Sequence, residues 1–155
     1  MSGPRARANH ALYLARILLA AWRRELARQD IPAITLEQAF GAAAREHLVT
    51  AYGWFLLAIC QAEAPGHTAP RSCSELPAMP AGRVFPAEIN ECRQLEAAGW
   101  LGDMLREPER VLPGVRQQGN LAVATGELPG SEQLERWLVA LEALFERMGD
   151  SLDEY

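Results

Sequence analysis

The chain has no lysine. All fifteen of its basic residues are arginine. This reads as a habit of codon composition rather than a device for binding phosphate, because the two side chains differ physically mainly at bidentate or stacked sites. Cysteine is scarce and odd in number. Cys60, Cys73 and Cys92 stand far apart with nothing resembling CxxC, which excludes a disulfide framework and a zinc ribbon and points to a reducing, cytoplasmic compartment. Long apolar runs are missing too. The most apolar segment, Leu48 to Cys60, is interrupted by Thr50 and Gly53 and falls short of the roughly 20 residues a membrane span needs. Arg5 and Arg7 precede an apolar stretch, but Arg16 interrupts it, so it does not read as a secretory leader.

Motifs for common chemistries are absent as well. No P-loop, no GxGxxG after a strand and no nucleophile elbow occurs. Helical di-iron bundles need paired Glu-x-x-His motifs, and His10, His47 and His67 have no ligand-like spacing. No metal and no cofactor is expected.

What remains is an ordinary globular composition. With 155 residues, 49% of them hydrophobic and 23% charged, the chain is long enough to bury one core unaided, as a single helical domain over residues 1–155. Its net charge of −5 is unevenly spread. Residues 1–30 carry six arginines against Glu25 and Asp30, whereas the end of the chain from Glu142 is acidic. A basic start and an acidic finish either attract one another, within the fold or across a dimer, or form two separate solvated surfaces.

Apolar spacing of three and four residues predicts two long amphipathic helices. The first, from about Ala6 to Gln29, carries Ala8, Ala11, Leu12, Ala15, Leu18, Leu19, Trp22 and Leu26 on one stripe. Pro32 breaks the pattern. Thr35 then starts a second helix, with Gln38 as its capping-box partner. The short connection makes the two helices antiparallel neighbours, and their alanines predict a close contact centred on Ala11, Ala15, Ala43, Ala44 and Ala51.

Five prolines make 64–86 a long loop, pinned by Leu76, Met79, Val84 and Phe85. A third helix begins near Pro86 and ends before Pro108, with a kink or division at Gly99 and Gly102. Residues 108–130 form a second loop with room for one short strand at 121–125. Ser131 caps a fourth helix whose stripe runs through Leu134, Trp137, Leu138, Leu141, Leu144, Phe145 and Met148, until Gly149 ends it. The expected fold class is all-α, a four-helix bundle-like arrangement around the first hairpin.

Six residues are candidates for contact with a ligand or partner. His47 falls in the apolar stripe of the second helix, where an imidazole must find a hydrogen-bond partner. It marks either a structural polar contact or a small-ligand pocket with Tyr52 and Trp100. Asn9, Tyr13 and Arg16 line the reverse face of the first helix, which is either an ordinary helix surface or a second contact surface. No catalytic residue is assigned. The run Arg5 to His10 fits the R-x4-H spacing of HEPN ribonucleases, although in that family the motif lies on a late helix.

The strings ANHALYLARIL from Ala8, AYGWFL from Ala51 and AGWLGDML from Ala98 resemble an uncharacterised gammaproteobacterial family of small proteins with a domain of unknown function. The resemblance implies a bacterial, cytoplasmic, all-helical protein. It transfers no activity, and it places Asn9, Tyr13, Arg16, Tyr52 and Trp100 in a recurring pattern. The sequence therefore reads as a non-enzymatic bundle acting through protein–protein contact, with a homodimer or another protein as partner. Leu14, Ile17 and Ala21 on the first helix, and Val49, Trp54 and Leu57 on the second, are apolar surface beyond one stripe. The alternative is nucleic-acid or nucleotide binding by the basic face of the first helix, and no membrane contact is expected.

Overall fold

The computed structural model describes residues 3–62, 68–106 and 130–153, the last three by backbone alone, and every regular element among them is helical. The protein is all-α. Helix α1 (Pro4–Arg28) opens on a proline, whose missing N–H costs nothing in a first turn, and closes where Gln29 adopts a left-handed φ of 56°.

The next helix starts two residues earlier than its sequence pattern predicts. Pro32 occupies the capping position, and its carbonyl accepts from the N–H groups of Thr35 and Leu36. Thr35 thus lies inside the first turn, and the capping box with Gln38 does not form. From there α2 (Ala33–Leu36), a π-helical turn (Glu37–Gly41) and α3 (Ala42–Ile59) run on without leaving right-handed geometry. The wider π turn takes up an extra residue and re-phases the helix after it. This is why Ala44 is buried and Ala43, expected in the contact, is exposed.

Helices α1 and α3 are antiparallel, as the short connection predicts. At one end the Arg7 guanidinium sits 4.6 Å above the Trp54 ring, and at the other Trp22 stacks on Phe40 with centroids 6.3 Å apart. Between them Ala8, Ala11, Ala15, Ala44 and Ala51 are buried, and their small side chains bring the two backbones close.

The predicted third helix is in two pieces, α4 (Ala87–Ala98) and α5 (Trp100–Leu105), joined at an extended Gly99. Gly102 explains the tight return. A side chain there would run into the Glu96 carbonyl, so only glycine lets α5 lie this close to α4. Helix α6 (Ser131–Asp153) carries its predicted stripe into the core but continues through Gly149. The end expected at Gly149 is overridden by packing. Gly149 is buried beneath the Arg5 side chain, with backbone hydrogen bonding continuing past it.

Helix α6 packs antiparallel to α1. Arg16 Nε donates to Glu142 Oε1 at 2.9 Å, and Arg23 pairs with Glu135. A step of seven residues up α1 is matched by seven down α6. The basic start and acidic finish of the chain therefore attract each other within the fold. Phe55 of α3 stacks on Phe145 of α6 at 3.9 Å, and Arg147 of α6 makes a bidentate bond to Glu91 of α4 at 2.7 and 3.1 Å. Burying a Leu or Phe side chain contributes about 1.5–3 kcal/mol, and the buried stripes of α1, α3 and α6 meet in one cluster. The stretch 121–125, where the sequence leaves room for one short strand, lies outside the described residues.

Candidate functional site

Two regions gather the residues that sequence reasoning singled out. The first lies where the 68–76 segment straps across α3. Gly53 makes the crossing possible, because a side chain there would collide with the Pro70 carbonyl, 3.0 Å or less away. The strap is tied down on both sides. Arg71 forms an ion pair with Glu46 of α3, and this hydrogen bonding holds the Glu46 carboxyl below its ordinary value against a smaller desolvation. The Cys73 N–H, at the start of a short 3-10 turn (Cys73–Glu75), donates to Glu96 Oε2 of α4 at 3.1 Å.

Tyr52 closes this cluster from beneath. Its hydroxyl donates to Glu96 Oε2 at 2.7 Å and lies 3.6 Å from Cys73 Sγ. Having given its one proton to Glu96, the tyrosine oxygen is left to accept from the thiol. Desolvation, with Cys92 and Glu96 adding to it, pushes the Tyr52 hydroxyl well above its ordinary value. Burial likewise pushes Cys73 and Cys92 up to about 12. A thiol held protonated is a poor nucleophile, and the hydrogen bonds of this cluster tie the strap to α3 and α4. Sequence reasoning found Tyr52 but missed Glu96, Cys73 and Cys92. The only signal was a glutamate within α4, four residues after Cys92 and able to share its side of the helix.

Trp100 joins the same neighbourhood through Glu96. The two line a cleft of about 450 Å³ at the α4/α5 break, together with Gly102, Asp103 and Arg106. His47 does not reach it and is only half-buried. The polar side chain that α3 does bury is Arg45, whose guanidinium donates to the Met104 and Leu105 carbonyls at 3.0 and 2.9 Å. A cation there satisfies carbonyls at the C-terminal end of α5 and complements its dipole. The re-phasing at the π turn turns the face, so that the polar exception in the core is Arg45 rather than His47. Val84, expected to pin the loop, is instead 86% exposed, whereas Leu76, Met79 and Phe85 do pack against the core.

The second region is the outer side of α1. Asn9 and Tyr13 are exposed, Tyr13 by 54%, and Ile17 beside them by 46%. Arg16 and Arg23 turn toward α6 and its glutamates, Arg28 toward Glu25 and Asp30, and Arg7 onto Trp54. Three of these arginines, Arg16, Arg23 and Arg28, are thus paired with the protein's own carboxylates, which lowers the positive charge density that phosphate contacts need. The surplus apolar surface also divides cleanly. On α3, Val49, Trp54 and Leu57 are all buried. On α1, Leu14 and Ala21 are partly covered while Ile17 remains outside. Tyr13 and Ile17, one turn apart, are the large apolar side chains that α1 leaves exposed.

Over residues 1–155 the chain matches a family described as a family of unknown function, DUF6586. No curated protein and no solved structure matches it.

Proposed function

We propose, from the premise that this chain belongs to DUF6586, a family of unknown function, that it works by contact with other protein chains, its own copies first among them. One observation carries the reading: Tyr13 and Ile17 stand about half exposed on an α1 surface beside Arg16 and Arg23, which are already paired with α6. Large apolar side chains grouped on an exposed face mark association surfaces more often than isolated ones do. A bacterial, cytoplasmic setting and a single domain over 1–155 belong to the same reading. Three free, buried thiols suit a reducing compartment, and no described helix is long and apolar enough to cross a membrane.

Sedimentation velocity across a concentration series tests the proposal. The average mass should rise above the 17.1 kDa of one chain, and Ile17→Glu should return it toward that value without changing the helical circular dichroism. A strict monomer at every concentration would refute self-association.

A further inference from the structure

Helices α1 and α6 each present an outer stripe, and the two stripes match. On α1, Ala6, His10, Tyr13, Ile17, Ala20 and Arg24 recur at intervals of four and three, and all six are exposed. On α6, Glu132, Arg136, Val139, Ala143, Glu146 and Asp150 recur at the same intervals and are likewise all exposed, Val139 by 64%. Alternating fours and threes are the spacing of a coiled-coil seam. Neither seam has a partner helix among the described residues.

Laid antiparallel, the two stripes fall into register along their whole length. Ile17 then meets Val139 and Tyr13 meets Ala143 at the centre, while Arg24 meets Glu132 and His10 meets Glu146 towards the ends. The two central pairs are apolar on both sides, and Arg24 and His10 face acids, while the small Ala20 and Ala6 lie opposite Arg136 and Asp150. The position that begins each interval of three on one helix faces one that ends it on the other, as antiparallel knobs-into-holes packing requires.

Within one chain the two stripes cannot meet. Successive helical residues turn by about 100°, which puts the α1 stripe roughly a quarter turn beyond the Arg16–Arg23 line that already faces α6. The α6 stripe stands in the mirror-related position relative to Glu135 and Glu142. A second copy related by a two-fold axis parallel to the helices brings α1 of each chain against α6 of the other. Four helices then surround the axis, and every contact is formed twice.

We propose that this protein self-associates as a two-fold dimer in which the outer stripe of α1 packs antiparallel on the outer stripe of α6 in a second copy. The inference rests on the self-association reading above and adds the partner surface to it. Charge swaps test it. The variant Arg24→Glu with His10→Glu makes the α1 stripe acidic, and Glu132→Arg with Glu146→Arg makes the α6 stripe basic. Each variant alone should associate at least about tenfold more weakly, since about 1.4 kcal/mol of like-charge repulsion is a factor of ten. An equimolar mixture should recover wild-type association as a heterodimer, because both of its interfaces then pair opposite charges. Circular dichroism of each variant at low concentration should match the wild type, because every altered residue is exposed, with a small loss of thermal stability where Glu132→Arg removes the pair with Arg136 and the acid in the first turn of α6.

If wild type associates but neither variant is weakened, or the mixture recovers nothing, the α1–α6 pairing is wrong while self-association stands. A wild-type chain that stays monomeric overturns both.

Discussion

Tyr52 shows how much one hydroxyl arranges. Its bond to Glu96 joins α3 to α4, and the same carboxylate holds the Cys73 N–H of the strap. Tyr52→Phe leaves Glu96 with the Cys73 N–H in place of two donors. The loss of a hydrogen bond to a part-buried carboxylate should cost about 1–3 kcal/mol, measured by urea unfolding. The thiols beside it give a pH signature. Cys73 and Cys92 ionise in the unfolded chain near their ordinary value of 9.0 but in the fold only at about 12. Their contribution to stability is therefore complete below pH 9.0 and is lost as pH climbs toward 12. Unfolding midpoints followed through that window should fall, and Cys73→Ala with Cys92→Ala should flatten the decline. The sequence disclosed only part of this cluster. Tyr52 is legible as a stripe residue of its helix with a polar end, but Cys73 meets it only because a proline-rich segment, read as a loop, returns across Gly53.

Helices were legible where periodicity is long, and their ends were not where a neighbour intervenes. The antiparallel α1/α3 hairpin follows from apolar spacing alone, and the division of α4 from α5 follows from Gly99 and Gly102. The π turn at Glu37–Gly41 leaves no mark in composition, yet it decides that Arg45 faces the core and Ala43 does not. Two glycines inside helices make opposite predictions. Gly53→Ala would drive a methyl group into the Pro70 backbone, and the strap must lift. A cost of roughly 1–3 kcal/mol is expected for overpacking of this kind. Gly149→Ala would approach Arg5 Nη2 at 2.8 Å, the movable end of a flexible side chain. There the better helix propensity of alanine should prevail, with a gain of up to about 1 kcal/mol. Thermal unfolding of the two variants side by side would show shifts of opposite sign.

At the scale of the whole molecule, charge organises more than it stabilises. The sequence shows a basic start and an acidic finish, and the fold sets them side by side in α1 and α6. Their ion pairs are nonetheless largely exposed, and such pairs contribute about 0–1 kcal/mol each. A double-mutant cycle on Arg16 and Glu142 should return a coupling under about 1 kcal/mol, smaller still at high salt. What these pairs fix is the register of two helices whose partners stand 126 and 112 residues apart in sequence. That distance orders events in time. A ribosome releasing this chain delivers α1 and α3 long before α6, so the hairpin closes first. Phe55 and the α6-facing arginines then wait, uncovered, for the last helix. Joining partners so far apart in sequence carries a larger loop-closure entropy than closing the hairpin does. Until it is complete, the nascent hairpin offers its neighbours the same apolar face that the finished molecule conceals.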